Sequence, residues 1–316
     1  MYVWHHLEEF PGGFAHPVVT IGNFDGVHLG HQEILRETRR RAAQAGGVAL
    51  VLTFDPHPLR ILAPERAPRL LTPLPEKLRL LEQAGVFGVM AAQFTRDFSM
   101  LAPEEFVRQV LVERLGPREV VVGDNFRFGY RHAGDVRLLA ELGRQAGFTV
   151  HDVAPVRVRG GVVSSSRIRD LLAGGRVPQA NRLLGRCFSV RGYIVPGRGL
   201  GRAITVPTLN MEHYSEVLPA GGVYITETAC DGVRSSSVTN IGHAPTFDGQ
   251  HRELRLESFL LEATPPESAE SMEVFFWRRL RDERKFPSPE HLKGQIMRDV
   301  ERAQTFFRRL RSSVRR

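Results

Sequence analysis

The chain has 316 residues, 25% charged and 42% hydrophobic, an ordinary balance for a globular protein but longer than one core usually grows, so two domains are expected. No apolar run approaches the roughly 18 residues of a membrane span, and residues 1–11 hold acidic side chains and no apolar signal core, which predicts a cytoplasmic protein with no membrane partner. Its two cysteines, Cys187 and Cys230, lie far apart and outside any metal-ligand spacing, which suggests neither a disulfide framework nor a zinc centre; the net charge of +8 fits nucleic acid or an enzyme of phosphate-bearing substrates.

The first informative stretch is 18–32, V-V-T-I-G-N-F-D-G-V-H-L-G-H-Q. Residues 18–21 predict a short buried strand, the glycines that follow permit a tight turn, and His31 is expected to begin an amphipathic helix over 31–45. Two histidines, His28 and His31, are thereby delivered where a strand ends and a helix starts. There the helix dipole and unpaired N–H groups favour an anion, phosphate above all.

Alternation then continues. Strand 48–54, helix 75–84, strand 86–94, helix 103–115, strand 119–123, helix 136–146 and strand 149–153 predict an α/β fold, a Rossmann-like doubly wound parallel sheet. Ligands of such sheets sit at the carboxyl ends of the strands. Polar clusters occupy those positions: the 22–31 loop, Phe54-Asp55-Pro56-His57-Pro58, Gly123-Asp124-Asn125-Phe126-Arg127-Phe128-Gly129, and Ser164-Ser165-Ser166-Arg167 after Val162-Val163. Serines ahead of Ile168-Arg169-Asp170-Leu171 read as a helix N-cap and a second anion site.

Beyond residue 185 the pattern changes to strands at 188–195, 222–229, 233–241, 252–261 and 272–280 with short turns and no helices between them. That predicts a small antiparallel β-barrel, closed by a long C-terminal amphipathic helix over 289–310. The expected domains are therefore 1–184 and 185–316.

The strings H-L-G-H at 28–31 and S-S-S-R-I-R at 164–169 resemble the two signatures of the HxGH nucleotidyltransferase superfamily. With T-F-D-P-H-P and G-D-N-F-R-F-G, the first half is similar, more narrowly, to the FMN adenylyltransferase half of the bifunctional bacterial riboflavin kinase/FMN adenylyltransferase (FAD synthetase) family. The resemblance implies an ATP site at Gly22, Asn23, Phe24, Asp25, His28, His31, Ser164, Ser165 and Arg167, with His28, His31 and Arg167 acting in catalysis. It implies a flavin site at Phe54, Asp55, Asp124, Asn125 and Phe126. Attack of an FMN phosphate on the α-phosphorus of ATP needs alignment and charge neutralisation but no protein nucleophile.

In the second half, the glycine stretch at 196–202 with Pro207-Thr208-Leu209-Asn210, Asn240-Ile241-Gly242, Glu257 and Leu280-Arg281-x-Glu283-x-Lys285-Phe286 resembles the family's riboflavin kinase domain. The resemblance implies kinase ATP contacts at Gly197, Gly199, Gly201, Arg202, Thr208 and Asn210, with Mg²⁺ held by Thr208 and Asn210 and Glu257 as base toward the riboflavin 5′-hydroxyl. Thr205, Val206 and Ala244 depart from the family pattern. The expected partners are thus riboflavin, FMN, FAD and ATP, with no nucleic acid and at most a weak homo-oligomer. Two rival readings are an adenylyltransferase for another phosphate-bearing substrate with a degenerate barrel, and a basic nucleic-acid-binding protein. Against the latter, no recognition-helix or aromatic-plus-basic motif is evident.

Overall fold

The computed structural model describes residues 1–195, 208–213, 216–245, 252–261 and 269–314. By compactness the chain divides into Met1–Ser165 and Ser166–Arg316. No helix among the described residues is long and apolar enough to cross a membrane.

The first unit is built on a six-stranded sheet of β1 (Tyr2–Trp4), β2 (Pro17–Ile21), β3 (Val48–Asp55), β4 (Gly88–Gln93), β5 (Glu119–Gly123) and β6 (Thr149–Val153). All neighbours run parallel in the order β1-β4-β3-β2-β5-β6. From β2 the chain winds outward through β3 and β4, then returns to β5 on the other side. The point of reversal lies between β2 and β5, where an α/β sheet opens a crevice at its strand ends. The central strands are apolar on both faces, with Val18, Val19, Leu52, Val89, Val120 and Val121 all fully buried, because helices cover both sides.

Several elements differ from expectation. The edge strand β1 was not foreseen; it is three residues long and only partly buried, too short for a periodic signal. Its Trp4 ring packs beside Phe10 and Phe14. Helix Leu29–Gln44 starts two residues earlier than predicted because His28 itself caps it. The predicted helix over 103–115 is α-helical at Pro103–Glu105, then widens to a π-helix over Phe106–Leu115, ending with Gly116 N–H donating to Leu111 C=O at 2.8 Å. Residues 162–163 do not end a strand of the main sheet: Gly161–Val162 pairs only with Arg157–Val158 in a small antiparallel ribbon.

The second unit opens with helix Ser165–Ala173, whose first residue closes the first unit, and helix Val177–Leu184. Its barrel consists of β7 (Phe188–Val195), β8 (Thr208–His213), β9 (Gly222–Cys230), β10 (Val233–Pro245), β11 (Arg252–Leu260) and β12 (Ser271–Arg281). The closed order is β7-β8-β11-β10-β9-β12, antiparallel throughout. β8 is not among the strands expected from the sequence; Leu209 and Met211 are buried on one face, while on the other Thr208 and Glu212 are exposed and Asn210 is covered. Helix Pro289–Val314 lays Ala303 and Phe307 against Val223, Ile225 and Val238 of the barrel. Cys230 is buried and Cys187 partly so, with burial pushing the Cys187 thiol up to about 11.

At the amino end of the first sheet, Glu119 gathers a polar cluster. Its carboxylate meets His16 Nε2 at 3.1 Å, His151 Nε2 at 2.8 Å and Arg41 Nη1 at 2.9 Å. Burial pushes its carboxyl up, but hydrogen bonds from His16 and Arg41 and the charges of His151 and Arg41 outweigh that and hold it below the usual range. A depressed carboxyl contributes stability that is present above its unfolded value and lost as pH falls through its folded value. Glu119→Gln is therefore expected to cost about 2 kcal/mol near neutrality and less at acid pH, measured as urea unfolding across pH; an equal loss at all pH values would contradict the charge-based account.

Candidate active sites

The loop after β2 is held in a conformation that its residues would not choose alone. Phe24 and Val27, neither a glycine, have φ of 48° and 36°. Both side chains are buried, at 1% and 2% exposure, against Leu35, Val51, Leu80, Leu81, Val86 and Val89. The Phe24 side chain thus belongs to the core, leaving its backbone to line the loop. Asp25, 3% exposed, accepts N–H bonds from Leu71 at 3.2 Å and Thr72 at 3.0 Å, while the Thr72 hydroxyl accepts from Gly26 N–H at 3.0 Å. The Ser165 hydroxyl donates to Asp25 C=O at 2.8 Å, which ties the serine signature to the histidine loop. Asn23 is exposed, and its C=O accepts from Thr53 Oγ1 at 3.3 Å.

His28 ends this loop and caps the 16-residue helix, its Nδ1 accepting from His31 N–H at 3.3 Å. That bond places the proton of a neutral His28 ring on Nε2, making that nitrogen a donor. The His28 and His31 rings stack with centroids 3.7 Å apart and planes within 14°. Gly30 lies between them because a Cβ there would stand 3.2 Å from the His28 ring. The result is two parallel imidazoles at the start of a helix, an arrangement suited to donating hydrogen bonds to phosphate oxygens.

Across the crevice, β5 ends at Gly123, beside which the Asn125 side chain and Ile34 of the capped helix both approach. Asp124 and Asn125 are exposed. Phe54 and Phe126 are half-buried at opposite ends of a run of ring contacts, Phe54–Phe98–Phe106–Phe128–Phe126, with neighbouring centroids 5.6 to 6.1 Å apart. Asp55 is exposed at the end of β3. Ser164 is half-buried ahead of helix Ser165–Ala173, and Arg167 is that helix's third residue.

Sequence reasoning missed Lys77. It lies within helix Leu74–Gln83 at 4% exposure, its Nζ 3.5 Å from Thr53 Oγ1. Burial pushes its amine down, opposed by the charges of Asp25 and Asp55. Its signal was a lysine on the inward stripe of an amphipathic helix.

In the barrel, Asn210 pairs with Glu257 and Glu257 with Asn240, so the three stand side by side across β8, β11 and β10 on one face. The opposite face points inward, with Leu209, Ser258 and Thr239 all buried. Glu257 reaches solvent; its carboxyl is raised above the usual range chiefly by the protein around it, with Glu283 adding and Arg255 opposing. Thr208 shares the Asn210 face two residues away. Their hydroxyl and amide oxygens are hard donors next to a carboxylate, a set that fits Mg²⁺ carried on a nucleotide. Gly197, Gly199, Gly201, Arg202, Thr205, Val206 and the Ala244 side chain lie outside the described residues.

The fold and sites define a two-part protein, a nucleotidyltransferase-type α/β unit joined to an antiparallel barrel with a carboxylate and hard oxygen donors on one face. The family model for FAD synthetase matches residues 14–167, and that for riboflavin kinase matches residues 184–307. Bifunctional riboflavin kinase/FMN adenylyltransferase of Escherichia coli (strain K12) is 37% identical over 304 residues, covering 96% of each chain. The enzyme of that name from Pseudomonas fluorescens is 38% identical, covering 90% of each. A crystal structure described as a macrolide-efflux protein from Streptococcus pneumoniae superposes with TM-score 0.86 at 28% identity, covering 96% of this chain and 98% of that one. The chain belongs to the bifunctional riboflavin kinase/FMN adenylyltransferase family.

The role given to Asp25 is testable apart from activity. Asp25→Ala is expected to lower stability by about 2 kcal/mol and to speed hydrogen exchange at the Leu71 and Thr72 amides above the rest of the unit. Unchanged exchange at those two amides would remove Asp25 as the anchor of the loop.

Proposed function

We propose that the two halves perform successive steps, riboflavin plus ATP to FMN in the barrel and FMN plus ATP to FAD, with release of pyrophosphate, in the α/β unit. The observation that carries the second step is the stacked His28–His31 pair at a helix start beside the crevice of the sheet. His28 Nε2 and His31 donate to the ATP phosphates, Arg167 adds positive charge, and the Gly22–Asp25 backbone with Ser164 and Ser165 shapes the cradle. Phe54, Asp55, Asp124, Asn125 and Phe126 take the flavin, with the half-buried rings offering faces to the isoalloxazine. The attacking FMN oxygen is already anionic, so donors and alignment suffice.

In the barrel the acceptor is an alcohol and must lose a proton as it attacks the γ-phosphorus. Glu257 takes that proton. Thr208 and Asn210 would hold Mg²⁺, which would offset charge on the ATP phosphates. We take the working domains as 1–184 and 185–316, a division supported by the riboflavin kinase model beginning at residue 184. The partners are riboflavin, FMN, FAD and ATP, in a cytoplasmic enzyme that needs neither nucleic acid nor membrane.

Chromatography of products from riboflavin, ATP and Mg²⁺ tests the whole reading; FMN without FAD, or neither, would overturn it. His28→Ala is expected to abolish FAD formation from FMN while sparing FMN formation, and Glu257→Ala to do the reverse. Comparable loss of both activities from either change would rule out two sites. Because Glu257 must be deprotonated to act and its carboxyl is raised, riboflavin phosphorylation should fall on the acid side with a midpoint above the ordinary value of about 4.3. The Glu257→Asp variant should shift that midpoint, and the pH profile of FMN adenylylation should not follow it.

A further inference from the structure

Lys77 takes no part in the mechanism above, yet it is placed against two local preferences. Its side chain is 4% exposed, and it stands in the first turn of helix Leu74–Gln83, where its N–H donates to Pro73 C=O at 2.9 Å. Burial disfavours an ammonium, and the positive end of the helix dipole disfavours it again. Burial also pushes the amine below the ordinary lysine range, and the charges of Asp25, on the loop after β2, and Asp55, at the end of β3, oppose that shift without cancelling it. An apolar residue on the same inward stripe, like Leu80 and Leu81, would cost the fold less. Residues that break such rules concentrate at functional sites, where the cost is offset by what they position.

What Lys77 positions follows from the hydrogen-bonding capacity of its neighbours. Its Nζ lies 3.5 Å from Thr53 Oγ1, and that oxygen lies 3.3 Å from Asn23 C=O. An ammonium only donates, so the hydroxyl oxygen accepts from Lys77 and its single proton is left for the Asn23 carbonyl. The relay therefore runs one way, from Lys77 through Thr53 to Asn23. The Asn23–Phe24 peptide is trans, so its C=O and N–H point in opposite directions. With the carbonyl held toward Thr53 on β3, the Phe24 N–H is turned away from β3; because β2 stands between β3 and β5, that is the direction of the crevice. Gly22, Gly26 and Val27 in the same turn have their N–H groups engaged inside the protein, on Leu52 C=O at 3.0 Å, Thr72 Oγ1 at 3.0 Å and Phe24 C=O at 3.2 Å. A flip of the Asn23–Phe24 peptide would take the Phe24 φ from 48° toward the ordinary negative range, so backbone strain favours the flip. The relay opposes it.

We propose that Lys77 is a positioning residue of the adenylyltransferase site, holding the Asn23–Phe24 peptide through Thr53 so that the Phe24 N–H is presented to the ATP phosphates. The inference rests on the adenylyltransferase reading of this unit. It gives the buried ammonium a use: with an apolar side chain at 77 the Thr53 hydroxyl is free to rotate, and the strained peptide loses what keeps it from turning over. An N–H offered to ground state and transition state alike contributes uniform binding, so its loss is read in KM rather than in kcat.

Steady-state FAD formation by the full chain, from FMN and MgATP, tests it. Lys77→Met, similar in length but apolar, and Thr53→Val, similar in shape but without the hydroxyl, are each expected to raise KM for MgATP about tenfold, with kcat and KM for FMN unchanged. Thr53→Ser, which restores the hydroxyl, should restore the wild-type KM. The double variant Lys77→Met/Thr53→Val should show about a tenfold rise rather than about a hundredfold one, because both changes break one relay. Riboflavin phosphorylation by the same chains is the internal control and should not change. In thermal unfolding Lys77→Met should melt at or above the wild-type temperature, since it removes a buried charge. An unchanged KM for MgATP in either single variant, a Thr53→Ser chain no better than Thr53→Val, losses that multiply in the double variant, or a Lys77→Met chain that melts below wild type would each overturn the inference. A wild-type chain that makes no FAD from FMN would overturn the adenylyltransferase reading itself, whereas FAD formed with wild-type KM by the variants would overturn only the role of Lys77.

Discussion

The chemistry of the first unit depends on one buried carboxylate. Asp25 accepts two backbone N–H bonds from a separate segment, Leu71 and Thr72, in a loop where Phe24 and Val27 both hold left-handed backbone. Such residues cost of order 1–3 kcal/mol each and persist only when their surroundings over-determine them. Here the surroundings are the Asp25 anchors, the Thr72 hydroxyl on Gly26, the Ser165 hydroxyl on Asp25 C=O and the burial of both strained side chains. The consequence is positional. A relaxed loop would let the chain leave β2 at another angle, and His28 would no longer cap the helix with its ring against His31. The strain is upstream of the imidazoles, which themselves sit in ordinary helix-start geometry.

What was legible in the sequence followed from periodicity and from residues with few alternative uses. Two histidines between a glycine turn and an amphipathic run have little choice of place, and the alternation of apolar runs with helical patterns led directly to the parallel sheet. The features that stayed hidden depend on contacts far apart in the chain. Lys77 looks like any lysine of a helix until Thr53 is found above it, 24 positions earlier. Strand β1 is held by Trp4 over Gly88, where a Cβ would lie 2.5 Å from the indole, and nothing local in three residues announces that. The Asn210–Glu257–Asn240 row exists only through register, so each residue could be singled out or passed over singly but the row could not be read. Thr226, Thr228, Ser237 and Thr239 look like polar interruptions of an apolar pattern, although they are buried inside the barrel.

The two units meet opposite chemical demands with different residue sets. Where the nucleophile is already an anion, the α/β unit offers donors: two imidazoles, helix N–H groups and serines. Where the nucleophile is an alcohol, the barrel offers acceptors: Glu257, Asn210 and Thr208.

The barrel's acceptor row is set from inside. Thr226, Ser237, Thr228, Ser258 and Thr239 form a closed cycle of hydroxyl contacts at 2.8, 2.9, 2.6, 2.9 and 2.7 Å, and none of the five is more than 1% exposed. In a cycle each hydroxyl donates once and accepts once, so no buried polar atom of the ring is left unsatisfied. Ser258 is a member of this ring and the neighbour of Glu257. Side chains alternate along a strand, so a slip of β11 by one residue would bring Glu257 into the barrel and turn Ser258 out. That slip would open the cycle, strand several hydroxyls without partners and bury a carboxylate, each at a cost of kcal/mol. A ring of small hydroxyls with no chemical role of its own thus specifies the register that holds Glu257 outward between Asn210 and Asn240.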